Sequence, residues 1–507
     1  MKNSVLIIGM DGAPWKLLKP WIDEGKLPAF SKLLKMGSGG DLRATIPPFS
    51  CSAWTSLFTG KNPGKHGIYE YTTDLGELIN SKSIKVVKLW QILSHYKKRC
   101  GVINVIMTYP VEKINGYMVS GPLTPSQEKT YSYPPKLMTI LKKHGYEIRI
   151  RYGKNRLLPN QENIIERRYD FLKKLYDIME KRYYTLKELM DEPWDFFMFV
   201  IDETAMLQHL FLDRKDVMLK FFKKIDFYIG DLIKTFSIKN TNPYIFVVSD
   251  HGFSSSPIKS FNMKAWLEKN GILKDNRTFQ QKIIPKIYNK LNKLYLSELI
   301  LFFNKLKRSR EVFQRKLSVS SSVYYKYPGI YIRQEQLKDM KYEKLRDNLI
   351  RELKQIHDPV SHEKVFQIVE KKEVIYSGNY SKSTPDIVAV PNSKFNVIFS
   401  YDSNTLFDDI EMHLRGKHFS DIYGMLLASG KGILPGTIKN ASIYDIFPTV
   451  LHILDVPLPH DLDGNVLKGI FKENSHLFKK NIIYSKIKVK TLQEKNNIQN
   501  ILEDIEL

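Results

Sequence analysis

Asp11, Ser50, Asp250 and His251 combine residue types and settings that suit metal-assisted chemistry on phosphorus. The string Ser249-Asp250-His251-Gly252 follows the apolar run Tyr244 to Val248, so a carboxylate and an imidazole stand together at a strand's end. Asp11-Gly12 closes another apolar run, Ser4 to Met10, and Asp202 and His209 follow a third that ends at Ile201. Open α/β sheets bind ligands at the carboxyl ends of their strands. Mixed carboxylate and imidazole donors suit zinc or manganese better than calcium, and two such clusters accommodate the two-metal arrangement of phosphoryl transfer. Ser50 opens a short helical pattern through Trp54, Leu57 and Phe58 that stops at Thr59-Gly60. A cation beside Ser50 lowers the pKa of its hydroxyl for attack on phosphorus, and the helix start behind it offers backbone N–H groups to phosphoryl oxygens. A single acid after a strand is more often a turn former or a helix cap, and His209 on a helix can be an ordinary packed histidine. The combination is what points to a site.

The elements that must position these residues alternate in type. Apolar runs at Ser4 to Met10, Gly101 to Met107, Asp195 to Ile201 and Gly424 to Ser429 read as buried strands. Helical patterns lie between them, at Trp15 to Met36, Lys88 to Lys97, about 160 to 190, Asp213 to Phe236 and Ile443 to Leu454. Strand alternating with helix predicts an α/β fold with a central, mostly parallel, doubly wound sheet. The alternation breaks down between 262 and 375, and the strand pattern Pro385 to Val390 restores it. The expected organisation is a discontinuous catalytic core at 1–261 and 376–470, an inserted helical or mixed cap at 262–375, and a peripheral Lys- and Asn-rich tail at 471–507.

With 78 basic against 54 acidic residues the net charge is +24, which favours an anionic substrate or surface. Residues 281 to 316 concentrate lysine and arginine on a helical stretch, readable as a solvated face or as a surface for anionic lipid or a polyanionic substrate. Nucleic acid is not indicated, since no recognition motif accompanies the charge. Two cysteines, Cys51 and Cys100, exclude a disulfide framework. A first strand that begins at residue 4 and the lack of an apolar run near 18 residues give the expectation of a cytoplasmic protein.

The segments IIGMDG (7–12), IPPFSCSAWTSLFTGKNPGKHGI (46–68), VVSDHGF (247–253), GMLLASGKGI (424–433) and ASIYDIFPTVLHILDVPLPHDLDG (441–464) resemble, in that order, the type I phosphodiesterase and nucleotide pyrophosphatase branch of the alkaline phosphatase superfamily. The resemblance implies an alkaline-phosphatase-like sandwich, two divalent ions and a phosphoserine intermediate. It places Asp11, Ser50, Asp250 and His251 around one ion, with Ser50 as nucleophile. For the other ion it points to His209 and to a late histidine, His418 or else His413. The sequence departs from the family there, because Ala205 stands where relatives carry an Asp four residues before the His; Asp202 or Glu203 is the available substitute. A sulfatase is excluded: Cys51 is followed by Ala53 and Thr55 instead of Pro and Arg.

The expected activity is hydrolysis of an anionic phosphodiester or pyrophosphate, small or linked to lipid or glycan. A phosphomonoesterase or phosphomutase relative with the same metals, and a degenerate member that binds an anion or partner without turnover, are the alternatives.

Overall fold

A computed structural model describes residues 2–73, 76–125, 128–148, 164–273, 322–334, 342–401, 403–410, 416–417 and 421–485. The chain divides into two compact units, one of Met1–Ser255, Ser377–Ser381 and Leu414–Leu507, the other of Ser256–Tyr376 and Lys382–His413.

In the first unit the strands are β1 (Ser4–Met10), β2 (Gly37–Arg43), β3 (Cys100–Val105), β4 (Gly116–Ser120), β5 (Ser132–Tyr133), β6 (Phe196–Ile201) and β7 (Pro243–Val248), followed by Ser254–Ser255, Gly416–Lys417, Tyr423–Ser429, Gly436–Thr437 and Ala441–Ser442. Its helices include α1 (Trp15–Asp23), α2 (Pro28–Lys35), α3 (Ser50–Thr59), α4 (Pro63–His66), α5 (Leu89–His95), α6 (Leu137–Lys143), α7 (Ile164–Leu189), α8 (Glu203–Phe211) and α9 (Lys215–Lys239). The ten-stranded sheet runs Gly436–Thr437, β2, Tyr423–Ser429, β7, β1, β6, β3, β4, β5, with Ala441–Ser442 also paired to β2. β7, β1, β6, β3 and β4 are parallel neighbours, while Tyr423–Ser429 runs antiparallel to both β7 and β2.

Every residue of β1 is buried, which is why it reads as an unbroken apolar run. Val5 and Ile7 pack on one face with Trp54, Phe58 and Trp90 from α3 and α5. Leu6 and Ile8 pack on the other with Phe171, Leu207 and Phe222 from α7, α8 and α9. Helices on both faces of a largely parallel sheet make the layered α/β architecture the alternation predicts.

Several boundaries differ from the sequence reading. The helical pattern from Trp15 to Met36 is two helices, because Gly25 takes a left-handed φ of +70° and Pro28 opens α2. The strand Ile387–Pro391 does not rejoin the large sheet. It sits in the second unit's four-stranded sheet with Val323–Lys326, Gly329–Ile332 and Phe366–Lys371, so apolarity identified a strand but not its sheet. A three-stranded sheet and the helix Tyr342–Leu353 complete that unit around its own core of Phe261, Leu349, Val365 and Ile387. The tail is not peripheral as far as Ser485: Phe471 and Leu477 are core residues, and Leu458 bridges Tyr484. The basic stretch 281–316 lies outside the described residues. Among the described residues no helix is long and apolar enough to cross a membrane.

Candidate active site

Three parallel strands end side by side, and their carboxyl ends deliver the acidic residues. Gly9 pairs with Val248 and Met10 with Ile201, so Asp11, Ser249–His251 and Asp202 leave the sheet at one level. The loop after β1 is clamped from two sides. Gly12 N–H donates to Asp250 Oδ1 (3.1 Å) and Ala13 N–H to Ser249 Oγ (2.8 Å), while Ser249 Oγ donates to the His251 carbonyl (2.7 Å). From α8, Thr204 Oγ1 donates to the Asp11 carbonyl (2.6 Å) and Gln208 Nε2 to the Gly12 carbonyl (2.7 Å). Gly12 has φ +63°, a left-handed turn that a side chain would strain.

Ser50 is the first residue of α3, and all ten residues of that helix are buried. Its seat depends on Gly9, where an added Cβ would come within 2.5 Å of the Trp54 indole. The first N–H groups of a helix have no acceptor within it, so the start of α3 presents donors beside the Ser50 hydroxyl.

The side chains converge. Ser50 Oγ lies 3.1 Å from His251 Nε2 and 3.4 Å from Asp11 Oδ1, and His251 Nε2 lies 3.2 Å from Asp250 Oδ2 and 3.7 Å from Asp11 Oδ1. His251 Nδ1 is 2.9 Å from the Gly252 carbonyl, which can only accept. Nδ1 therefore carries the proton and Nε2 turns a lone pair to the centre. Asp250 is fully buried, and its Oδ2 has no hydrogen-bond partner among the described residues. Burial, then the charges of Asp250 and Asp202, hold the Asp11 carboxyl well above the usual range, and burial raises Asp250 too. A divalent cation would relieve this repulsion.

The spacing fits one. Donors 2.0–2.1 Å from a tetrahedral zinc stand about 3.3–3.4 Å apart, close to the separations here. Asp11, Asp250 and His251 are the one group of metal-ligating side chains found within 4.8 Å of one another among the described residues.

The residues expected at a second ion are placed otherwise. Asp202 Oδ1 accepts from Arg182 Nη1 and from Asn104 Nδ2 (2.8 Å), and Glu203 Oε1 stands 3.1 Å from the same Arg182 nitrogen. The His209 ring meets Phe253 edge-on with centroids 4.9 Å apart. His418 and His413 lie outside the described residues.

Sequence reasoning missed Arg182, Asn104, Thr204, Gln208 and Ser249. Ser249 is part of the same short string as Asp250 and His251, and Asn104 leaves a trace as a polar residue inside an apolar run. It sits at a register shift in β3 with φ +58°. His66 is structural: Nε2–H donates to Ser56 Oγ (3.0 Å) and Nδ1 accepts from Ile68 N–H (3.1 Å). Asp461 and Asp463 bind Lys61 and Lys65. Cys51 is a buried thiol with its pKa raised by burial.

Fold and site together define an α/β protein with a candidate metal site of Asp11, Asp250 and His251 beside a buried serine. A family model described as type I phosphodiesterase / nucleotide pyrophosphatase matches residues 5–419, and the chain belongs to that family. It is accordingly a hydrolase of phosphoric esters.

Solved structures share this alkaline-phosphatase-like fold. Human ectonucleotide pyrophosphatase / phosphodiesterase 5 is 14% identical with a TM-score of 0.52, covering 93% of this chain and 100% of its own. Phosphonoacetate hydrolase from Sinorhizobium meliloti 1021 is 14% identical with a TM-score of 0.54, covering 90% and 96%. Wild-type alkaline phosphatase PafA is 14% identical with a TM-score of 0.50, covering 92% and 98%. At these identities the likeness is one of fold. No curated protein matches the chain in sequence.

Proposed function

We propose that the chain hydrolyses an anionic phosphodiester or pyrophosphate through a phosphoserine on Ser50, with zinc or manganese held by Asp11, Asp250 and His251. The observation that carries this reading is the Ser50 hydroxyl, set at the first turn of α3 and 3.1 Å from the unprotonated nitrogen of His251. A bound ion supplies Lewis acidity, lowering the pKa of the seryl hydroxyl and drawing charge from the phosphoryl group.

The chain's own residues do the rest. The N–H groups at the start of α3 hold the non-bridging phosphoryl oxygens so that the leaving oxygen stands in line with Ser50 Oγ. The clamped loop of Asp11 to Ala13 keeps the Asp11 carboxylate fixed. Ser50 Oγ then bonds to phosphorus as its proton passes to solvent and the bond to the leaving oxygen breaks, the leaving group taking up a proton; water next bonds to phosphorus as the P–Oγ bond breaks, which frees the phosphate product and returns a proton to Ser50 Oγ. The excess positive charge draws an anionic ester towards the protein.

The test is metal-dependent release of p-nitrophenol from bis(p-nitrophenyl) phosphate, with the mono-ester assayed on the same preparation. Ser50→Ala is expected to lower the bis-ester rate by at least about a thousandfold. Full activity in that variant removes Ser50 from the reaction, and a faster mono-ester assigns the chain to the phosphatases instead. Wild-type protein inert to both esters with its ion bound supports the non-catalytic alternative.

A further inference from the structure

Beyond the Ser50 cluster, the carboxyl end of β6 closes on a buried polar pocket of its own. Glu203, at the start of α8, lines with Asn104 of β3 and Tyr146 an internal cavity of about 30 Å³ beside α7 and α9. That is room for about one water molecule. Other walls are apolar, among them Ile103, Phe199 and Ile229. The three polar residues are all more than nine-tenths buried, with exposures of 2% for Asn104, 7% for Tyr146 and 1% for Glu203.

Each of the three keeps one buried polar atom without a hydrogen-bond partner among the described residues: Asn104 Oδ1, Tyr146 Oη and Glu203 Oε2. The rest of each side chain is engaged. Asn104 Nδ2 donates to the Val200 carbonyl and to Asp202 Oδ1, both at 2.8 Å, which fixes the amide and leaves Oδ1 over. Glu203 Oε1 stands 3.1 Å from Arg182 Nη1, and the same guanidinium lies over the Tyr146 ring, 5.8 Å from its centroid.

Three such atoms on one cavity define what fits it. Buried polar atoms are paired in folded proteins, and cavities that stay dry are apolar. The amide oxygen and an ionised carboxylate only accept, whereas the phenol can donate. A water molecule answers that set, donating to Asn104 and Glu203 and accepting from Tyr146, and three bonds are usual for internal water. A calcium or magnesium ion takes six or more oxygens, which this cavity does not offer.

We infer that one water molecule is bound in this cavity, bridging Asn104 Oδ1, Tyr146 Oη and Glu203 Oε2. It ties β3 and the Tyr146 segment to the first turn of α8, the helix whose Thr204 and Gln208 bond to the loop carrying Asp11. The water belongs to the frame of the active site and takes no part in the reaction proposed above.

A high-resolution crystal structure of the full chain tests it, with a second crystal soaked in rubidium chloride. One density peak within hydrogen-bond distance of all three atoms is expected, with no anomalous signal from rubidium. A dry cavity, or a water that reaches only one of the three atoms, overturns the inference. So does a rubidium peak, which would make this a site for a monovalent cation. In solution, the magnetic relaxation dispersion of the water signal reports internal waters of long residence. Tyr146→Phe is expected to lose one of them or shorten its residence at least about tenfold, with an unchanged circular dichroism spectrum. An identical dispersion profile in that variant overturns the inference. If the variant fails to fold, the wild-type crystal decides.

Discussion

Thr204 and Gln208 touch no reacting atom in the proposed mechanism, yet each gives a hydrogen bond to a carbonyl of the loop that carries Asp11. Catalysis by positioning is sensitive to displacements well below a bond length. Gln208→Ala should lower kcat for an aryl phosphodiester about tenfold with the ion still bound. An unchanged kcat in that variant would show that the loop needs no clamp from α8. Such residues are the part of the site that spacing cannot reveal. Asp11, Asp250 and His251 were legible because each stands within three residues of the end of an apolar run, and Ser50 because a helical pattern begins at it. Arg182 was not legible, because nothing local says that one arginine of α7 points into the interior towards Asp202 while neighbours such as Lys173 reach solvent.

Among the elements, α3 and α4 form the seat on which Ser50 rests, and His66 joins them through Ser56. Burial, aided by the charge of Lys61, pushes the pKa of His66 down to about 3. An unfolded histidine titrates near 6.5. A folded pKa below the unfolded one means that the stabilisation is complete above about pH 6.5 and is lost as pH falls towards 3. The urea midpoint of the wild type should therefore drop more steeply between pH 7 and pH 4 than that of His66→Asn, which has no such group to protonate. Parallel slopes would mean that His66 is not held neutral. At this scale β1, β3, β6 and β7 are legible, since burial on both faces makes them continuous apolar runs, whereas β2, with the sequence GSGGDLR, carries no such run. The sheet a strand joins depends on distant partners, and that is why Ile387–Pro391 was expected in the wrong one.

Over the whole molecule, the first unit folds around two cores while its best-buried carboxylates repel one another. An ion that binds only the folded chain stabilises it by mass action, by about 2.7 kcal/mol at a hundred times Kd. The melting temperature should rise with zinc or manganese concentration, and Asp250→Asn should flatten that rise. A wild-type melting temperature indifferent to both ions would count against a site at Asp11, Asp250 and His251.

Ser249 ties the two halves of that site together, accepting from the Ala13 amide and donating to the His251 carbonyl. The Ala13 amide proton can exchange with solvent deuterium only when this bridge opens. The molecule thus carries an intrinsic isotope clock for the integrity of its centre, readable without substrate, ion or label.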